Sequence, residues 1–253
     1  MTLAWIVLAS IAGGLLSVCA AAFALVLRAS WVPMLVSFAI GTLLGAAFLE
    51  VIPHAFEESE PHQAAGAILG GILGFFLLEK LLLWRHSHEH GVGAEPQHHH
   101  EHSRAGLLIV VGDTVHNFVD GVLIAAAFLQ STELGLVTAI AIVAHEIPQE
   151  VGDFLVLLQS GYARAKAFVL NVLSSLGSVA GGVLGYYALQ GFEEWEPILL
   201  GVVAASMIYV AVADLIPGLH KRPELRATAA QAVLIAAGVA VIALVRMLVG
   251  EGA

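Results

Sequence analysis

Runs of about 20 apolar residues follow one another along almost all of this 253-residue chain, and each is long enough to cross a bilayer. The chain is 59% hydrophobic and 12% charged, with a mean hydropathy of +0.90. This composition excludes an ordinary soluble domain. We predict an all-α integral membrane protein with a single transmembrane domain over residues 1–253. The eight predicted helices are 3–27, 32–55, 64–84, 105–128, 135–160, 166–188, 196–217 and 226–249.

The remaining composition removes several other classes of protein. The first residues lack a basic region, so we expect the first helix to be retained and not cleaved as a signal peptide. Cys19 is the only cysteine, which excludes an intrachain disulfide and a cysteine metal cluster. The net charge of −10 is concentrated in loops and does not favour nucleic-acid binding.

Lysine and arginine predict the orientation of the helices. The odd-numbered connections and their flanking helix ends carry nearly all the basic residues, whereas two even-numbered connections are acidic. By the positive-inside rule the odd-numbered connections face the cytoplasm, so both termini lie outside, in a plasma or inner cell membrane. The exception is Arg246. The basic residues on the cytoplasmic side are Arg28, Lys80, Arg85, Arg104, Arg164, Lys166, Lys221, Arg222 and Arg226.

The second and seventh helices share a short sequence. Residues 50–53 read Glu-Val-Ile-Pro and residues 214–217 read Asp-Leu-Ile-Pro, near opposite ends of their helices. This echo predicts an inverted repeat of helices 1–3 and 6–8 around helices 4 and 5, an arrangement common in secondary transporters.

The fourth predicted helix carries a cluster of ionisable residues within its apolar sequence. Asp113, His116 and Asp120 are spaced by three and four residues, so they share one helical face, and Asn117 adjoins that face. At about 1.5 Å per residue, His116 lies roughly 17 Å into its helix, near the middle of a hydrocarbon core about 30 Å thick.

The fifth helix carries a second such cluster at similar depth. His145 pairs with Gln149 and Glu146 pairs with Glu150 at i, i+4 spacing, and Asp153 follows one turn later. Pro148 removes one backbone donor and predicts a kink inside this polar stretch.

The cost of burying these charges indicates a cation site. Five carboxylates at about 2.5–3.5 kcal/mol each would cost on the order of 12–18 kcal/mol if all were ionised in lipid. No lysine or arginine lies in the central parts of these two helices, so a divalent cation or protons must neutralise them. Imidazole mixed with carboxylate suits zinc, iron and neighbouring transition metals better than calcium or magnesium.

The same residues allow two other interpretations. The polar residues could make only interhelical hydrogen bonds. Alternatively, His145-Glu146 could begin the motif of an intramembrane metallohydrolase, but that motif needs a histidine four residues later, where this chain has Gln149.

At these residues the chain resembles the ZIP (Zrt-, Irt-like protein) family of divalent metal transporters. Residues 116–121 read HNFVDG and match the family's HNFxDG. Residues 145–154 read HEIPQEVGDF and match HExPHExGDF except at Gln149, where the family has histidine. The eight helices, the outward termini and the loop after helix 3 extend the resemblance to essentially the whole chain.

The resemblance implies a binuclear metal centre between helices 4 and 5. His116, Asp120, His145 and Gln149 would form the main transport site. An adjoining site would contain Asn117, Asp120, Glu146 and Glu150, with Asp120 bridging. Some relatives add an acid from helix 6, where this chain offers only Asn171, Ser174 and Ser175. The resemblance also implies metal movement into the cytosol by an elevator-like motion of a central helix bundle.

Further residues are predicted to bind metal outside this centre. Residues 85–104 form a His-rich cytosolic loop of a kind that often binds metal. It could capture exiting ions or be a passive solvated linker. The loop histidines are His86, His88, His90, His98, His99, His100 and His102. The predicted peripheral metal pathway is Asp113, Asp153, Glu50, His54 and Asp214, with Glu50 and His54 at the outer mouth and Asp214 at the inner one.

The resulting expectation is an importer of divalent transition metal. Zn²⁺ is the leading candidate and Fe²⁺ or Mn²⁺ are alternatives, with the metal as transported substrate and no catalytic cofactor. A metal exporter or broad cation exchanger stays open, because ligands do not set direction. The expected partners are metal ions and the lipid bilayer, with a homodimer as a further option.

Overall fold

The computed structural model of the chain describes residues 1–23, 32–88, 98–191, 195–220 and 224–250. Within these ranges the protein is all-helical, without a β-strand, and eight helices are long and apolar enough to cross a membrane, which confirms the predicted fold class. The helices are α1 (Thr2–Phe23), α2 (Val32–Glu57), α3 (Pro61–His88), α4 (His98–Gln130), α5 (Thr132–Gln159), α6 (Arg164–Leu189), α7 (Glu196–Tyr209, continued by Val210–Leu215 and Ile216–Leu219) and α8 (Leu225–Gly250).

Helices α3 and α4 are longer than predicted. They extend to His88 and begin at His98, so both ends of the predicted loop 85–104 are helical, and residues 89–97 lie outside the described ranges. Histidine, glutamate and arginine carry only a small penalty in a helix, so this polar sequence can continue the two apolar helices.

A single residue joins α4 to α5. Ser131 has an extended backbone, and its hydroxyl accepts a hydrogen bond from the Leu134 amide at 3.0 Å, which caps α5. Such a tight connection makes the two helices antiparallel neighbours. His116 lies fifteen residues before this turn and His145 lies fourteen residues after it, so both reach the same depth.

Two π-helical turns support the inverted repeat. They span Ala47–Val51 in α2 and Val210–Leu215 in α7, and each is followed directly by isoleucine and proline. These are the two segments that share the acid-x-Ile-Pro sequence. The turns therefore occupy matching positions in helices that run in opposite directions, as an inverted repeat requires.

Close helix contacts at glycine divide the bundle into two groups. The first group is α1, α4, α5 and α6, in which α4 packs on α6 with Gly181 against the Phe118 backbone. The second group is α2, α3, α7 and α8, in which Gly41 of α2 lies against the Ile235 backbone of α8 and Gly71 of α3 lies against Ala205 of α7. Small residues allow backbones to approach closely within membranes, so each group packs as a tight unit.

The main apolar core fills the half of the bundle that contains the α4–α5 turn. It includes the segments 43–47, 123–128, 134–142 and 200–204. Among the described residues this core contains many alanines, which permit close packing between α2, α4, α5 and α7. The polar residues of α4 and α5 lie next to this core, farther from the α4–α5 turn.

Candidate metal centre

Four side chains from α4 and α5 converge on one point. The Nε2 atoms of His116 and His145 are 3.2 Å apart, and Oδ2 of Asp120 lies 3.2 Å from His145 Nε2 and 3.5 Å from His116 Nε2. Oε1 of Glu146 lies 4.0 Å from His116 Nε2. One ligand atom from each of the four residues lies within 4.8 Å of all the others. The predicted ligands from the two helices therefore meet in space.

These spacings suit a transition metal. With bonds of about 2.0 Å, two donors of a tetrahedral zinc ion are roughly 3.3 Å apart. Three of the four separations given above lie within a few tenths of an ångström of this value. A small inward shift of Glu146 would complete a set of two nitrogens and two oxygens.

A backbone carbonyl lies beside the second ring nitrogen of His145. Its Nδ1 atom is 3.4 Å from the carbonyl oxygen of Ala141, one turn earlier in α5. A carbonyl oxygen only accepts, so it is an acceptor for a proton on Nδ1. With the proton there, Nε2 would hold its lone pair toward the cluster, as a metal ligand requires.

Several carboxylate oxygens here are buried without a hydrogen-bond partner. They are Asp120 Oδ2, Glu146 Oε1 and both oxygens of Glu150. A buried charge is costly unless it is paired or coordinates a metal. These atoms therefore form a candidate cation site, because the described hydrogen bonds do not satisfy them.

The two amide side chains near the cluster share one acceptor. The Asn117 nitrogen donates to Asp113 Oδ1 at 3.0 Å and to the Asp113 carbonyl at 3.1 Å. The Gln149 nitrogen donates to Asp113 Oδ1 at 3.3 Å. In both amides the oxygen is left as the atom that can bind a cation.

Helix α6 supports this region without contributing an acid. Asn171 is buried, and its side-chain nitrogen donates to the backbone carbonyl of Glu150 at 3.1 Å. Ser174 and Ser175 are also buried and bond to carbonyls of their own helix. Asn171 holds α5 next to Glu150, a role the sequence did not indicate.

A cavity of about 480 Å³ begins at the cluster and extends toward the ends of α3, α5 and α7 opposite the α4–α5 turn. Its walls include His116, Asp120 and Gln149, and two residues of the predicted peripheral pathway, Asp153 and Asp214. Asp113 also lines this space. The cluster thus has an open route toward one end of the bundle.

Sequence reasoning missed Glu79 and Tyr209 in this cavity. The Tyr209 hydroxyl of α7 donates a hydrogen bond to a Glu79 carboxylate oxygen of α3. Both residues lie in the half of their helices that borders the open end, and the only available signal was an acid inside an apolar helix.

Glu50 and His54 lie away from this cavity. Glu50, in the π-helical turn of α2, forms an ion pair with Arg246 of α8, with Oε2 3.0 Å from Nε. This ion pair gives a partner to Arg246, the single basic residue that does not follow the predicted cytoplasmic distribution of lysine and arginine. Of the loop histidines, His90 lies outside the described residues, and His86, His88, His98, His99, His100 and His102 belong to helix ends whose side chains are outside the description.

Comparison with known proteins identifies the family. The family model described as ZIP Zinc transporter matches residues 1–105 and 84–246. Zinc transporter ZIP13 of Pongo abelii is 33% identical over 230 residues, covering 85% of this chain and 67% of its own length. Zinc transporter YKE4 of Saccharomyces cerevisiae is 32% identical over 241 residues, covering 83% of this chain and 70% of its own. Human zinc transporter ZIP4 is 32% identical over 247 residues, but the chain spans only 38% of that protein.

These relatives are transporters by name, so the metallohydrolase alternative is set aside. The resemblance found in the two helix motifs is confirmed over most of the sequence, and the chain is a multi-pass membrane protein that belongs to the ZIP zinc transporter family.

Proposed function

We propose that this protein imports a divalent transition metal, with Zn²⁺ as its main substrate, into the cytosol through the centre between α4 and α5. The observation that carries the proposal is the convergence of His116 Nε2, His145 Nε2 and Asp120 Oδ2 at separations of 3.2–3.5 Å. Imidazole and carboxylate together favour transition metals over magnesium or calcium. The relatives are named zinc transporters, which supports zinc over iron and manganese.

A second ion would bind beside the first. The proposed adjoining site contains Asn117, Asp120, Glu146 and Glu150, with Asp120 as the bridging carboxylate. The support is that both oxygens of Glu150, which is 0% exposed, lack a hydrogen-bond partner. Gln149 would complete the main site through its amide oxygen.

The proposed direction is toward the open end of the cavity. Asp153 and Asp214 line this end, and carboxylates along a route attract cations. We infer from the basic residues that this end faces the cytoplasm and that both termini lie outside. The apolar core seals the opposite side, so the described conformation fits release of metal to the cytosol.

Alternating access would require the two helix groups to move relative to each other. The metal ligands all lie in the group α1, α4, α5 and α6, in which glycine contacts such as Gly181 on Phe118 hold the helices together. Movement of this unit along α2, α3, α7 and α8 would carry the centre between the two sides of the membrane. This is the elevator-like motion expected from the family resemblance.

The experiment is zinc uptake into proteoliposomes that contain the purified protein in a defined orientation. H116A and D120A should reduce uptake to the level of protein-free vesicles while the protein remains folded and reconstituted. H62A is the matched control, since His62 is exposed at the start of α3 and lies outside the centre. Uptake by H116A or D120A at the wild-type rate contradicts the proposal.

An exporter or cation exchanger is the second candidate, because the metal ligands do not determine the direction of transport. Net flux in vesicles of known orientation separates the two functions. Inward flux under an inward zinc gradient, with no antiported metal, favours the importer. Obligatory exchange of one divalent metal for another favours the exchanger.

The histidines of the 85–104 segment would capture metal as it leaves the cavity. We expect their joint replacement by serine to change the rate or its regulation without abolishing uptake. Complete loss of uptake in that variant would assign the segment to the transport path itself.

A further inference from the structure

The acceptor shared by Asn117 and Gln149 suggests a role for Asp113 other than binding transported metal. Asp113 is 5% exposed and lies on α4, one turn before Asn117, opposite Gln149 on α5. Its Oδ1 atom accepts from both amide nitrogens, at 3.0 Å and 3.3 Å. Each of these two residues adjoins a histidine of the centre: Asn117 follows His116, and Gln149 lies one helical turn after His145.

An amide side chain has two chemically different ends. The oxygen can bind a cation, whereas the NH₂ group donates hydrogen bonds and has no lone pair to offer a metal. Rotation of the amide group by half a turn exchanges the oxygen and the nitrogen and hardly changes the shape of the side chain. A nearby carboxylate decides between them, because it accepts only from the nitrogen.

We propose that Asp113 is a positioning residue that fixes the orientation of Gln149, so that the Gln149 amide oxygen points toward the metal path. This inference rests on the proposed function, since it takes Gln149 as a ligand of the transported metal. Gln149 stands where the family motif has histidine, and it has a requirement that a histidine would not have. Histidine can present a nitrogen lone pair on its own, whereas glutamine requires an acceptor for its NH₂ group.

Asn117 is less dependent on this carboxylate. Its nitrogen also donates to the Asp113 backbone carbonyl at 3.1 Å, and this acceptor survives any change of side chain at 113. Within the described residues, the only hydrogen bond of the Gln149 nitrogen is the one to Asp113 Oδ1. The effect of removing the carboxylate is therefore expected at Gln149 first.

Asp113 also has neighbours other than the amides. Ser174 of α6 and Asp153 of α5 lie close to its carboxylate, and Asp153 lines the same cavity. Asp153 makes no hydrogen bond to Gln149 among the described contacts. Asp153 is thus a matched control, an acid in the same space without the positioning contact.

The experiment measures zinc uptake kinetics in proteoliposomes for D113A, D113N and D153A, each in the wild-type and in the Q149H background. Loss of a group that orients a metal ligand typically lowers affinity by about 10–100-fold. We expect D113A to raise KM for zinc by at least about tenfold in the wild-type background and by about threefold or less in the Q149H background. D113N retains an acceptor oxygen and should stay within about threefold of the wild type.

D153A should change uptake by the same factor in both backgrounds, because Asp153 makes no hydrogen bond to Gln149 among the described contacts. An equal effect of D113A in the two backgrounds overturns the inference, and so does a D113N variant as impaired as D113A. If D113A does not fold, D113V and D113L, which also lack a side-chain acceptor, replace it in the same comparison. Failure of the proposed function is separate, because H116A would then transport zinc whatever residue stands at 113.

Discussion

His116 and His145 face each other across the α4–α5 contact with their Nε2 atoms 3.2 Å apart, and Asp120 Oδ2 lies within 3.5 Å of both. Two imidazole nitrogens at this distance, with a carboxylate beside them, are in place to share one cation. The nearly equal distance of both histidines from Ser131 along the chain explains why they meet.

Removing the charge of Asp120 should abolish zinc binding at the proposed centre. A ligand present at 100 times its Kd stabilises a protein by about 2.7 kcal/mol, and D120N should lose this stabilisation because it loses the carboxylate. The measurement is the zinc-dependent shift in unfolding temperature in detergent, with the histidines of residues 86–102 replaced by serine in every variant and H62A as control. A full zinc-dependent shift in D120N would show that Asp120 is not a ligand.

Acid should weaken zinc uptake. Metal ligands must be deprotonated, so protons and zinc compete for the imidazole nitrogens of the centre, and the measurement compares uptake at about pH 7 and about pH 5. Protonation removes the lone pair that binds metal, so KM for zinc should rise on acidification when both sides of the vesicle have equal pH. A KM that stays constant over this range is inconsistent with imidazole ligands.

The glycines between α4 and α6 should tolerate no side chain. A Cβ atom at Gly181 would collide with the Phe118 backbone, so G181A should destabilise the protein by on the order of 1–3 kcal/mol through overpacking. G74A is the matched control, because nothing lies within 4 Å of that position in α3. Since alanine favours a helix over glycine, G74A should be neutral or stabilising by up to about 1 kcal/mol. Thermal unfolding of the two variants gives the comparison, and equal stabilities would contradict the close α4–α6 contact.

The ion pair of Glu50 and Arg246 should make a small but measurable contribution to the free energy of unfolding. Both residues lie in candidate membrane spans, where interhelical polar contacts contribute about 0.6 kcal/mol on average, so a coupling on the order of 0.5–1 kcal/mol is expected between the two side chains. A double-mutant cycle with E50Q, R246Q and the double variant measures it by unfolding. Additive effects of the two single substitutions would mean that the pair contributes nothing.

Much of the architecture could be predicted from sequence, because the bilayer imposes strong constraints on it. Apolar runs gave the eight helices, and ionisable residues near the middle of α4 and α5, such as His116 and His145, indicated a site. The length of the turn at Ser131 and the π-helical turns in α2 and α7 could not be predicted, because both depend on local backbone geometry that hydropathy does not encode.

The side-chain contacts between helices could not be predicted from the sequence either. Gln149 was predicted as a ligand, but its bond to Asp113 depends on how α4 and α5 pack. Tyr209 and Glu79 are 130 residues apart along the chain, and no local pattern pairs them. Arg246 departed from the charge pattern, and only packing of α8 on α2 supplies its partner Glu50.

The most direct test of the centre is zinc X-ray absorption on reconstituted protein in which the histidines of residues 86–102 are replaced by serine. That replacement removes competing zinc sites while leaving α4 and α5 intact. With one zinc ion bound per protein, we predict a coordination shell with two imidazole nitrogens at about 2.0 Å, falling to one in H116A and in H145A. A zinc shell that is unchanged in both variants would contradict the convergence of these two histidines on the transported ion.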